Sequence, residues 1–77
     1  MLTLAQMQPG QSGHVTEIRS DDGARLMKLA ALGVIPGSLV RLQQRRPVYI
    51  VWVGETMLSL ERAVAQDIVL LPAGSPG

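Results

Sequence analysis

The sequence has 77 residues, enough for one small domain; hydrophobic residues make up 47% of it and aromatic residues only 3%. It contains no cysteine, which excludes disulfide bonds and thiolate metal sites, and no apolar run approaches the roughly 20 residues of a membrane-spanning helix. The net charge of +1 argues against a nucleic-acid binder, since such proteins usually neutralise phosphates with a clear basic excess.

The first third of the chain predicts a lead-in, a strand and a helix. Residues 1–7 form a lead-in with one apolar edge, and residues 13–18 predict a strand. Val15 and Ile18 fall on opposite faces of that strand, so we expect one of them to lie at a bulge or past the end of the strand. Residues 20–23 predict a loop that supplies the N-cap of a helix over residues 24–32. The apolar stripe of this helix has the spacing i, i+3, i+4, i+7 and comprises Leu26, Leu29, Ala30 and Gly33.

The end of this helix carries two turn signals. Gly33 follows the last helical residue, at the position where helices commonly end with a residue in the left-handed conformation. Val34 is then expected to pack back on Leu29. Pro36 and Gly37 suit the central positions of a type II turn. We interpret this stretch mainly as a helix stop followed by a turn, with part of a docking surface as the alternative.

The second half of the chain predicts three more strands. From Leu39 the pattern alternates, with Val40 and Leu42 facing inward. Residues 48–53 are apolar throughout, which predicts a strand covered on both faces, and Gly54 opens a type II′ hairpin turn. Residues 56–60 predict the next strand, with its leucines facing inward.

The C-terminal part of the chain predicts a helical turn and a last strand. Residues 61–67 form the turn, with Ala63 and Val64 dipping inward, and residues 68–71 form the strand. We therefore expect a mainly β domain over residues 1–72: a five-stranded barrel with one helix after the first strand, followed by a flexible tail at 73–77.

Catalytic and metal motifs are not found in the sequence. His14 is the sole histidine, and Asp21 and Asp22 lack the spacing of a calcium-binding loop. Neither a G-x-S-x-G elbow nor a phosphate-binding P-loop is present. We therefore predict a protein that is not an enzyme, with no cofactor, no catalytic residue and no metal ligand of its own.

Partner binding is the remaining kind of function, and two sorts of residue are candidates for it. Basic residues could contact an acidic patch on a partner, although a solvated face is the simpler interpretation. Two aromatic residues lie three apart in the apolar strand, so one should be core and the other an interface anchor. The candidates are Arg25, Lys28, Arg45, Arg46, Tyr49 and Trp52, with Arg41 beside the arginine pair.

Several ordered stretches resemble the FeoA family, the small proteins of bacterial ferrous iron transport. The resemblance covers residues 2–71, and its structural motif includes Leu29, Leu32, Gly33, Pro36, Gly37 and Gly54. The stretches are Leu4-x-x-Met7-x-Pro9-Gly10-x-x-Gly13, Arg25-Leu26-x-x-Leu29-x-x-Leu32-Gly33-Val34-x-Pro36-Gly37, Val53-Gly54-Glu55-Thr56-x-Leu58-x-Leu60 and Ala65-x-x-Ile68-x-Leu70. The chain departs from many members at residues 45–47, where they carry a longer Gly/Asp loop.

The resemblance implies an SH3-like barrel and an accessory role in iron homeostasis, with transition metal ion binding as a family theme. It implies a cytoplasmic protein whose partner is the ferrous iron permease with its GTP-binding domain, so that contact with the membrane comes only through the permease. The same fold is the C-terminal domain of iron-dependent repressors, so a stand-alone relative of that domain is an alternative. We expect no repressor activity from this sequence alone, because it shows no helix-turn-helix. Two other hypotheses stay open: a weak homo-oligomer built through the apolar strand, and, less favoured, RNA binding by the barrel face.

Overall fold

A computed structural model of the chain, which describes residues 1–73, contains one antiparallel sheet and two helices. A short 3₁₀ turn at Leu4–Gln6 follows the first strand, helix α1 spans Gly23–Ala31, and helix α2 spans Arg62–Ala65. The strands are β1 (Leu2–Thr3), β2 (Ser12–Ile18), β3 (Leu39–Gln44), β4 (Tyr49–Val53), β5 (Thr56–Leu60) and β6 (Ile68–Pro72). Of the predicted tail, residues 74–77 lie outside the described residues.

The sheet differs from the predicted five-stranded barrel in two ways. Its strand order is β1-β6-β2-β3-β4-β5, so it has six strands, and within residues 1–73 no pairing joins β1 to β5 to close it. The additional strand is the lead-in, where Leu2 pairs with Leu70 and Thr3 with Val69. A strand of two residues is too short to show alternation, which is why the sequence pattern did not reveal it.

The core lies on the inner face of the sheet and is aliphatic apart from Tyr49. Its residues come from the strands, the 3₁₀ turn and both helices: Leu4, Met7, Val15, Leu29, Val34, Val40, Leu42, Tyr49, Val51, Leu58, Leu60, Ala65, Ile68 and Leu70. The inward alternation predicted for Val40 and Leu42 is confirmed. In α2, Val64 packs against the core as predicted, but the second inward residue is the buried Ala65 and not Ala63, which is exposed.

Local capping chemistry fixes the ends of α1. The Asp22 Oδ1 atom accepts hydrogen bonds from the backbone N–H groups of Ala24 (3.1 Å) and Arg25 (3.2 Å), as expected of an N-cap. The predicted apolar stripe is only partly right. Leu29 is buried, whereas Leu26 is half-buried and Ala30 is exposed, because α1 rests on the core through a narrow contact.

The predicted turns and bulge are confirmed. Gly37 has φ +96° in the turn closed by the Ser38 N–H and the Ile35 carbonyl, as a type II turn requires. Gly54 has φ +60° in the two-residue hairpin loop between β4 and β5. The register of β2 shifts against β6 between Val15 and Glu17, and this bulge accounts for the broken alternation.

Candidate protein-interaction site

Trp52 stands on the outer face of the sheet between two cross-strand neighbours. Arg41 of β3 lies on one side of it and Met57 of β5 on the other. Alternation directs all three away from the core, since Val40 and Val51 are buried beside them. Trp52 is half-buried, and its indole Nε1–H donates to the Gln43 Oε1 atom, which fixes the ring against the sheet.

A second row of outer residues runs beside this one. His14 of β2 is paired with Leu39 on β3 and Leu71 on β6. Leu39 is 51% exposed, Leu71 49% and Met57 52%, so three large apolar side chains are exposed on the same outer face of the sheet. We call the residues Leu39, Arg41, Trp52 and Met57 the outer patch. Leu39, Arg41 and Trp52 also line one open groove together with Gly54 at the hairpin.

The outer patch carries one positive charge, Arg41, that forms no ion pair within residues 1–73. The ion pairs formed by residues 1–73 join Arg19 to Glu17 and Arg25 to Asp67, so Arg41 takes part in neither. An apolar surface with an aromatic centre and one available guanidinium group resembles the core of a protein–protein interface.

The helix candidates lie elsewhere, around a groove between α1 and the β5–α2 segment. Arg25 is held in place, because its Nη1 atom lies 3.5 Å from the Asp67 Oδ2 atom. Lys28 is exposed beside it, and Leu29 and Leu32 line the same groove. Arg25 therefore ties α1 to the turn before β6, while Lys28 keeps its charge in solvent.

The remaining candidates lie near the N-terminal 3₁₀ turn. Tyr49 is only 5% exposed and belongs to the core, so it is the inward member of the aromatic pair. The Arg45 Nη2 atom donates to the Ala5 carbonyl oxygen at 2.9 Å, and the Tyr49 hydroxyl donates to the same oxygen at 3.4 Å. Arg46 is exposed nearby. The six candidates thus occupy three separate places and do not form a single site.

Some residues of these surfaces were not predicted from the sequence. Met57 lies opposite Trp52 only through the β4–β5 register, and Leu39 comes beside Trp52 because Arg41, two residues further along β3, is opposite it. Arg62 joins Arg45 and Arg46 around one small pocket although it lies 16 residues along the chain from Arg46. Cross-strand register was the signal that could have placed Met57 opposite Trp52, because the Gly54 hairpin was already predicted.

The described residues offer neither a cluster of metal ligands nor a helix that could span a membrane. Residues 1–73 contain no group of three or more His, Cys, Asp or Glu side chains that could hold a metal ion. His14 has two leucines as its cross-strand neighbours rather than a second ligand. No helix among the described residues has the length and the apolar character needed to cross a bilayer.

Solved structures with the same fold were found by comparison. One is an iron uptake regulatory protein (FeoA), 25% identical, with a TM-score of 0.84 over 94% of this chain and 96% of that one. Another is the zinc-bound FeoA of Stenotrophomonas maltophilia, 26% identical, with a TM-score of 0.78 over 91% of this chain and 89% of that one. The latter is described as a prokaryotic SH3 domain protein with a suggested role as a ferrous iron transport activating factor.

A different kind of protein shares the fold over part of its length. A manganese-dependent transcriptional repressor, 24% identical, has a TM-score of 0.87 over 94% of this chain but only 41% of its own. At this identity the likeness shows the fold alone: a mainly β, SH3-like arrangement with two helices.

Sequence comparison identifies the family. A search of curated proteins gave no match. The model of the FeoA domain, however, matches residues 2–72, which include the capped helix, the Gly33 helix stop and the Gly54 hairpin. The chain therefore belongs to the FeoA domain family.

Proposed function

We propose that this protein is a non-catalytic cytoplasmic accessory of ferrous iron uptake that docks on the GTP-binding cytoplasmic part of the iron permease. The observation that carries the proposal is the match to the FeoA domain over residues 2–72. A role in iron transport or its regulation follows from the family and from the iron uptake regulatory protein that shares its fold. The permease as partner is the further step.

The outer patch is the surface best suited to this docking. Trp52 supplies a large, partly ordered aromatic ring, and Leu39 and Met57 supply apolar area that is already half exposed. Buried aromatic and arginine residues dominate the energies of protein interfaces. Arg41 favours a partner with a carboxylate at the matching position, because an opposite charge would steer the encounter and fix its register.

Docking regulates the permease by shifting a population of states. A ligand changes a two-state equilibrium only by its difference in affinity for the two states. If the outer patch binds one nucleotide state of the GTP-binding part about tenfold more tightly, it shifts that equilibrium by about 1.4 kcal/mol. Nothing in this mechanism requires a metal ligand or a catalytic group on the chain.

Calorimetric titration of the intact protein against the GTP-binding part of the permease, with GDP and with a non-hydrolysable GTP analogue, tests the proposal. We expect binding that differs between the two nucleotides and that is weakened by Trp52→Ala. Met27→Ala is the matched control, since Met27 is 75% exposed on α1, away from the outer patch. Absence of binding with either nucleotide would overturn docking on this part of the permease.

Self-association is the second candidate, and one observation favours a particular form of it. Backbone pairing through β4 is not available, because β4 is already paired with β3 on one side and β5 on the other. Strand β5, by contrast, is an edge of the sheet in the described part of the chain, and an edge strand can pair with a second copy. Sedimentation at increasing concentration tests this: a monomer throughout excludes it.

A further inference from the structure

A small basic pocket lies on a part of the surface that the proposed docking does not use. It is formed where the segment between β3 and β4 meets the start of α2, and it is lined by Arg45, Arg46, Pro47, Tyr49 and Arg62. None of these residues belongs to the outer patch. Arg46 and Arg62 are exposed, whereas Arg45 is half-buried and Tyr49 is buried.

The charges around this pocket are all of one sign. Three guanidinium groups line it, and no carboxylate is among the lining residues. The ion pairs found within residues 1–73 involve Arg19 and Arg25, so none of the three pocket arginines forms an ion pair with an acid of the described chain. Like charges held around one cavity repel each other, and that repulsion is relieved when an anion enters.

One of the three arginines is already ordered for binding. The Arg45 Nη2 atom donates to the Ala5 carbonyl oxygen at 2.9 Å, which fixes the plane of the guanidinium group. Its Nε atom is buried and has no hydrogen-bond partner among the described residues. A guanidinium group has five N–H donors in a fixed arrangement. Because the buried Nε is closed to solvent, the donors that Arg45 offers to a ligand are its remaining Nη–H groups.

We propose that this arginine pocket binds a phosphate-class oxyanion. Planar guanidinium groups match phosphate oxygens with paired, charge-assisted hydrogen bonds. A phosphate group carries a charge near −2 and has three acceptor oxygens, so its charge and acceptors match three arginines better than those of a single carboxylate. The ligand is a free phosphate, a soluble phosphomonoester or a lipid whose headgroup is a phosphomonoester, as in phosphatidic acid. All three share this chemistry.

Titration of the full chain with inorganic phosphate, at constant ionic strength against chloride, tests the proposal by NMR and by thermal melting. We expect a saturable shift of the resonances near Arg46 and a melting temperature that rises with phosphate concentration. Arg46→Gln and Arg62→Gln should each weaken binding about tenfold, or about 1.4 kcal/mol. Both residues are exposed, so these variants are expected to fold.

A matched control and a second arm identify the source of the anion. Arg41 lies outside the pocket, is exposed and forms no ion pair within residues 1–73. Arg41→Gln should therefore leave phosphate binding unchanged. Vesicles of phosphatidylcholine that contain phosphatidic acid are compared with vesicles of phosphatidylcholine alone by flotation. Binding only to the anionic vesicles, lost in Arg46→Gln and Arg62→Gln, supports the pocket with a lipid as its ligand.

Two results would overturn the arginine pocket. The first is an absence of binding in both the phosphate arm and the vesicle arm. The second is binding that Arg41→Gln weakens as much as Arg46→Gln does, which would indicate general attraction to positive charge. Either result leaves the docking proposal standing, since the outer patch and the pocket have no residue in common.

Discussion

The backbone N–H of Val34 donates to the carbonyl oxygen of Leu29 at 2.9 Å, across the point where α1 ends. The N–H of Gly33 donates to the Ala30 carbonyl oxygen at 3.0 Å, which completes the paired hydrogen bonds of a Schellman motif. Leu29 and Val34 are both buried in the core. The end of the helix is therefore fixed to the core by backbone and side chains together, and this joint sets where α1 stands beside the sheet.

Replacement of Gly33 tests how much stability this joint contributes. Gly33 has φ +92°, and Gly33→Ala would place a side chain in a left-handed conformation that costs about 1–2 kcal/mol. The added Cβ atom would meet a Val53 methyl group at 3.4 Å, an ordinary contact, so the loss should come from the backbone alone. Chemical denaturation measures the change in the free energy of unfolding. Gly23→Ala, at an open site without positive φ, is the control and should not destabilise; equal losses in the two variants would contradict this account.

Gly13 is needed for a different reason, the close approach of β6. A Cβ atom at Gly13 would lie 2.9 Å from the Leu71 carbonyl oxygen and 3.1 Å from the Leu70 Cβ atom. Because the nearer atom belongs to the backbone, the two paired strands must separate to admit it. We expect Gly13→Ala to lower the free energy of unfolding by about 1–3 kcal/mol, as overpacking does in cores. The neighbouring Ser12→Ala, whose side chain faces outward, should change it little, and thermal unfolding of the two variants in parallel distinguishes them.

The Ala5 carbonyl oxygen accepts from two donors, and they should differ in their contribution to stability. Arg45 Nη2 lies 2.9 Å away and is charged, whereas the Tyr49 hydroxyl lies 3.4 Å away and is neutral. We expect Arg45→Gln to cost about 1.5 kcal/mol or more, and Tyr49→Phe about 0.5 kcal/mol. A double-mutant cycle on urea denaturation measures both losses and their coupling. A larger loss for Tyr49→Phe would show that the hydroxyl, not the guanidinium group, fixes the 3₁₀ turn.

The parts of the fold that sequence reasoning predicted are those set by local chemistry. The Asp22 cap, the Gly33 stop and the Gly54 hairpin each depend on residues within a few positions of one another, so their patterns are visible in the sequence. Strand β1 was missed because its two residues become a strand only by pairing with β6, some 67 positions away in sequence. The exposure of Ala30 was missed for a similar reason, since a helical stripe shows which face is apolar but not how wide the contact beneath it is.

The candidate site also has some features that local sequence predicts and others that depend on the whole fold. Trp52 and Tyr49 were predicted to face opposite ways from their spacing, and Tyr49 is indeed in the core. The neighbours of Trp52 depend on strand register, and no local sequence pattern predicts the register of the β3–β4 pair. The association of Arg62 with Arg45 and Arg46 depends on where α2 comes to lie against the β3–β4 segment, a consequence of the whole fold.

The outer patch should be separable from the stability of the fold. Leu39 and Met57 are each about half exposed, at 51% and 52%, so Leu39→Lys and Met57→Lys should change the free energy of unfolding by no more than about 0.5 kcal/mol. Each lysine would add a charge to the apolar centre of the docking surface, where an unpaired cation must lose water on binding. We therefore expect at least a tenfold loss of affinity for the GTP-binding part of the permease, measured by calorimetry.

Met27→Lys supplies the matched control for these two variants, because it makes the same chemical change on α1, at a side chain that is 75% exposed. Its affinity should equal that of the unaltered protein, since the added charge lies away from Trp52. If Met27→Lys weakens binding and Leu39→Lys does not, then docking uses the helix side with Lys28, and the outer patch is not the interface. If all three weaken it equally, the effect is that of net charge, because only the added lysine is common to them.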